Sequence, residues 1–84
     1  MLTNRKKALP WFPTKSEVHR IFVKINRRNL VDEIQAVMTK HRNKPVEDVK
    51  NERILFHPEF IAIVKLFGIP EGYYASEGFF DEVG

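Results

Sequence analysis

The chain has 84 residues, 43% of them hydrophobic and 30% charged, a balance that supplies one small hydrophobic core, not two, and excludes wholesale disorder. It contains no cysteine, which rules out disulfides, thiolate metal sites and thiol nucleophiles and fits a reducing, cytoplasmic setting. The net charge of +3 conceals a segregation: residues 1–44 carry 11 Lys/Arg against 3 Asp/Glu, residues 45–84 carry 3 against 8, and no Lys or Arg follows Lys65.

Residues 1–13 read as an N-terminal arm, because Pro10 and Pro13 flank Trp11-Phe12 and prevent continuous helix. No apolar stretch follows Arg5-Lys6-Lys7, and the longest apolar run, Phe60 to Val64, falls well below a bilayer span. Neither a signal segment nor a membrane role is expected. Thr14-Lys15-Ser16-Glu17 has the capping-box spacing and predicts a first helix over about 15–26. Val18, Ile21, Phe22 and Ile25 would form its apolar stripe, with Arg20, Lys24 and Arg27 on the opposite face.

Asn29 can cap a second helix running to about residue 42, with Asp32 and Glu33 near its positive end and Leu30, Val31, Ile34, Val37 and Met38 continuing an apolar stripe. Asn43-Lys44-Pro45 breaks the chain, and the proline opens a short helical turn through Val46 and Val49 before the apolar patch Ile54-Leu55-Phe56. His57-Pro58-Glu59 starts a third long helix, about 58–67, which Gly68 and Ile69-Pro70 end. Its apolar residues from Phe60 to Phe67 surround most of the circumference, so it should lie central to the core or pair with a second copy in a homodimer. Residues 69–84 form an acidic, aromatic, glycine-punctuated tail. The expectation is a mainly α, single-domain chain: arm 1–13, helical core 14–68, tail 69–84.

Few residues offer chemistry. His19, His41 and His57 lack metal-ligand spacing, Ser16 with His19 has no third group or oxyanion site, and glycines at 68, 72, 78 and 84 make no phosphate-cradling loop. No metal, cofactor or catalytic role is expected.

Charge is the remaining signal. Three basic clusters stand out: Arg5, Lys6 and Lys7 in the arm; Arg20, Lys24, Arg27 and Arg28 on and after the first helix; Lys40, Arg42 and Lys44 at the end of the second. Joined into one patch they would bind nucleic acid through its phosphates, although solvated helix faces give the same pattern. In the tail, Tyr73, Tyr74, Phe79 and Phe80 either fold back as a lid over the core or anchor in a protein partner, with Glu77, Asp81 and Glu82 meeting a basic rim. A tail lying on the basic face of the first helix would compete with nucleic acid.

A second period fits one segment. Arg20-Ile21-Phe22-Val23-Lys24-Ile25-Asn26 also alternates with period two and is rich in β-branched residues. Followed by the Asn29-capped helix, the break at Asn43-Lys44 and a further helix, it resembles the ribbon-helix-helix repressors over about residues 20–56. That resemblance implies a paired-chain ribbon with Phe22 and Lys24, and Arg20 or Asn26, reading the major groove. The functional expectation is a small non-enzymatic nucleic-acid-binding or regulatory protein using its basic half, the alternative being a protein–protein adaptor or inhibitor acting through the tail.

Overall fold

Helical structure begins where the capping box places it. In the computed structural model, which describes residues 6–81, Thr14 Oγ1 accepts from the Glu17 amide at 3.1 Å and Glu17 Oε1 accepts from the Thr14 amide at 2.8 Å. Helix α1 (Lys15–Ile21) follows and stops at Phe22 (φ −98°, ψ 47°), well short of residue 26. The cause is Asn26, whose side chain accepts from the amides of Arg28 (2.9 Å) and Asn29 (3.3 Å) and so caps α2 (Arg27–Arg42) three residues before the cap expected at Asn29. Ile25 keeps the helical spacing without being helical, because it packs against the core from the intervening turn.

The alternative of a strand over 20–26, on which the likeness to ribbon-helix-helix proteins depends, is therefore not realised: these residues are the last turn of α1 followed by a turn. Phe22 shows why: a ribbon would present it outward, whereas it is buried against the rings of Phe60 and Phe67. Burying such a ring is worth about 1.5–3 kcal/mol.

Helix α2 ends at Asn43, the non-glycine residue with positive φ among those described (55°). Pro45 then precedes the single turn α3 (Val46–Val49), and α4 (His57–Phe67) carries proline in its first turn and is stopped by Gly68 at φ 87°. Leu30, Ile34 and Met38 of α2 are buried in one cluster with Phe60, Ile61, Ile63 and Val64 of α4, joined by Val18, Val49 and Leu55. The all-round apolar character of α4 is thus largely satisfied within one chain, with Leu66 left 56% exposed.

Arm and tail are both tied into this core. Strand β1 (Lys7–Ala8) pairs in parallel with β2 (Tyr73–Tyr74), and the Lys7 and Leu9 amides donate to Gly72 O and Tyr74 O, each at 2.9 Å. Leu9 and Phe79 are buried. His57 joins the two segments: its ring stacks on Trp11 at 4.1 Å, Nδ1 lies 3.2 Å from Trp11 O and Nε2 2.7 Å from Phe79 O.

A short antiparallel ribbon also positions the surface discussed below. Thr14 bridges Ile54, with the Lys15 amide donating to Arg53 O and the Leu55 amide to Pro13 O, both at 2.8 Å. Alternation turns Pro13 and Leu55 inward, where they are buried, and leaves Phe12, Ile54 and Phe56 exposed. Among the described residues no helix is long and apolar enough to cross a membrane.

Candidate nucleic-acid interface

Lys15 sets the geometry of the basic surface. From the first turn of α1 its Nζ donates to Val49 O at 2.6 Å and Lys50 O at 3.4 Å, the carbonyl end of α3, where a cation is favoured. Burial, then the charge of Arg42, lowers its pKa. This contact clamps α1 against the α3–α4 connection and surrounds one surface depression with Lys15, Ser16, Lys50 and Arg53 beside Glu52.

Two neighbouring depressions continue it. One is lined by Arg27, Arg28, Val31, Asp32, Gln35 and Lys50, the other by Lys15, His19, Val31, Ile34 and Gln35. Since Lys15, Lys50, Val31 and Gln35 are shared, the three form one face built from α1, the start of α2 and the loop after α3.

The electrostatics of that face are lopsided. Among the described residues Arg27, Arg28, Lys50 and Arg53 have no carboxylate within ion-pair distance. Arg27 and Arg28 occupy the first turn of α2, which contains no acidic residue, so they add to the positive end of the helix dipole instead of offsetting it. The pKa of His19 is lowered, first by burial and then by Arg27. Of the two carboxylates lining the face, Glu52 is already bonded to Arg42 at 3.2 Å, leaving Asp32.

The residues singled out in the sequence separate on folding. Arg5 lies outside the described residues. Lys6 is exposed on the arm, while Lys7 and Arg20 border a different depression with Glu17 and Tyr73. Lys24 forms a solvent-exposed ion pair with Glu71, so the tail meets this group of cations there. Lys40 and Lys44 are exposed at the far end of α2, about 20 Å from Arg28 at the helical rise of about 1.5 Å per residue.

Arg42 is withdrawn altogether. Its side chain is 6% exposed, and it donates through Nε and Nη2 to Glu59, through Nη2 to Ile54 O and through Nη1 to Glu52. With four of its five N–H donors committed and its side chain buried, it holds the fold and is withheld from a phosphate at the surface. The single basic patch expected from sequence is thus divided, and the densest part gains Lys15, His19, Lys50 and Arg53, which no local spacing picks out.

The tail aromatics divide as well. Tyr73 is half-buried, Tyr74 and Phe80 are exposed, and Phe79 sits in the core edge-on to Phe60 and Trp11. Among the described residues no group of three His, Asp or Glu side chains converges as a metal site.

The chain matches no protein-family model, no curated protein and no solved structure.

Proposed function

We propose that this protein is a non-catalytic nucleic-acid-binding module whose contact surface is the face formed by Lys15, His19, Arg27, Arg28, Lys50 and Arg53. The observation that carries the reading is convergence: four cations without carboxylate partners among the described residues, from two helix ends and one loop, border connected depressions. Cations left unpaired at the positive end of a helix cost stability, about 0.3–1 kcal/mol each, and a polyanion reverses that cost by releasing counterions on binding. Lys7, Arg20, Lys40 and Lys44 border other surfaces and add long-range attraction.

The test is anisotropy of labelled oligonucleotide titrated with protein across a salt series. Wild type should bind with affinity that falls steeply with salt. Arg27→Ala/Arg28→Ala and Lys50→Ala/Arg53→Ala should each weaken binding and reduce the log–log salt slope by about 1.5–2, as expected for two lost phosphate contacts. Unchanged affinity and slope in both variants would remove this face from the function.

A further inference from the structure

The outer side of the 12–15/53–56 ribbon exposes Phe12 (62%), Ile54 (49%) and Phe56 (46%), although the same chain buries Phe22, Phe60 and Phe79. Its position between cations is distinctive. At one end Thr14 and Ile54 adjoin Lys15 and Arg53 of the basic face. At the other, Arg42 places its guanidinium 4.1 Å over the Phe56 ring and His41 meets that ring edge-on at 6.1 Å, with Lys40 and Lys44 within two residues of them.

We propose that this ledge is a base-stacking platform, so that the preferred ligand is single-stranded nucleic acid; the inference rests on the basic-face reading above. A strand held through its phosphates at Lys15 and Arg53 would run over Phe12 and Phe56 toward Lys40 and Lys44. Unpaired bases present π-faces to such rings, whereas the bases of a duplex are already stacked on each other, so exposed aromatics between cations select single strands. Arg42 and His41 hold the Phe56 ring in place before any ligand arrives, which lowers the entropy cost of stacking on it. Of the other exposed rings, Tyr74 lies apart on β2, and Trp11 and Phe80 lie by the acidic tail with Glu77 and Asp81, where phosphate is repelled. The path therefore follows the ribbon and not the tail.

The experiment titrates labelled oligo(dT), a duplex of equal length and inorganic polyphosphate with four proteins: wild type, Phe12→Ala/Phe56→Ala, Phe12→Ala with Phe56→Leu, and Arg27→Ala/Arg28→Ala/Lys50→Ala/Arg53→Ala. Circular dichroism confirms the fold of each, and the leucine variant replaces the double alanine if that one unfolds. Wild type is expected to prefer oligo(dT) to duplex by about 10-fold or more. Removing the rings should cost oligo(dT) affinity about 10- to 100-fold while polyphosphate binding and the salt slope persist. Oligo(dT) affinity unchanged by ring removal, or duplex bound as tightly as oligo(dT), overturns the platform and leaves the basic face standing. Polyphosphate and oligonucleotide binding unaffected by the fourfold variant, or absent from wild type, overturns the basic-face reading itself.

Discussion

Arg42, in the last turn of α2, and Glu59, in the first turn of α4, form a buried bidentate ion pair, with Nε 2.7 Å from Oε2 and Nη2 2.9 Å from Oε1. Glu59 is saturated: it also accepts from the Phe56 amide at 2.7 Å, closing the start of α4, and from His41 Nδ1 at 2.9 Å. The pair joins the two principal helices and fixes the ribbon through Ile54 O. Removing one partner leaves the other charged and buried, which costs about 3–5 kcal/mol. That is a large share of the stability of a chain this size, roughly 4–13 kcal/mol. Urea denaturation should therefore show strongly lowered midpoints for Arg42→Ala and Glu59→Ala, and a double Arg42→Met/Glu59→Leu variant more stable than either.

Acid should act through the same carboxylate. Burial is the strongest single influence on Glu59 and pushes its pKa up, but the bonds from Arg42, the Phe56 amide and His41 together outweigh it, so the native value lies below the ordinary 4.5. The unfolded chain then binds the proton more readily. The stability contributed by ionised Glu59 is complete above about pH 4.5 and is lost as pH falls through the lower native value. Denaturation midpoints across that range should fall for wild type and change less for Glu59→Gln.

His19 reports the field of the basic face. Its lowered pKa means that protonation opposes folding: its contribution is complete above the ordinary 6.5 and declines as pH falls through the native value. Burial is the larger cause and Arg27 the second, so Arg27→Ala should raise the His19 pKa only part of the way. A bound phosphate chain should raise it as well. NMR titration of the imidazole signals, with and without oligonucleotide, checks both, and no upward movement on binding would exclude phosphate from the neighbourhood of His19.

Two helix ends invite opposite substitutions. Gly68 closes α4 at φ 87°, ψ 168°, a region open essentially to glycine alone. A Cβ there would meet nothing within 4 Å, so Gly68→Ala should cost about 1–3 kcal/mol through backbone strain alone. Asn43 closes α2 in the left-handed region at φ 55°, and Asn43→Gly should be neutral or stabilising by up to about 1 kcal/mol. Thermal melts should place Gly68→Ala below wild type and Asn43→Gly at or above it.

What could be read from sequence was what neighbours in sequence decide. The Thr14–Glu17 box, the turn after Pro45, the His57-Pro58 start and the Gly68 stop each depend on residues within one helical turn, and each stands in the structure. The junction between α1 and α2 is not fixed by local pattern, because two asparagines compete there. Asn29 has the acidic residues after it, but Asn26 reaches two free amides and wins, while Ile25 preserves a helical spacing from a turn. The site was less legible than the fold. Lys15 meets Lys50 across 35 positions, and the fate of Arg42 is settled by a carboxylate 17 positions away on another helix. Charge counting cannot tell a cation facing solvent from one consumed by the interior.

The parallel pairing of Lys7–Ala8 with Tyr73–Tyr74 sets a timetable for biosynthesis. Sixty-six positions separate Lys7 from its partner Tyr73, several seconds of translation at about 5–20 residues per second. Through that interval Leu9 and Trp11 leave the ribosome without the strand, the histidine and the phenylalanine that later enclose them, while α1 and α2 assemble from contacts closer in sequence. The arm is made well before the strand it pairs with and is among the last segments to dock. A tail that emerges beside the undocked arm of another copy can pair with it in place of its own, which makes exchange of arms between copies the assembly error this topology invites.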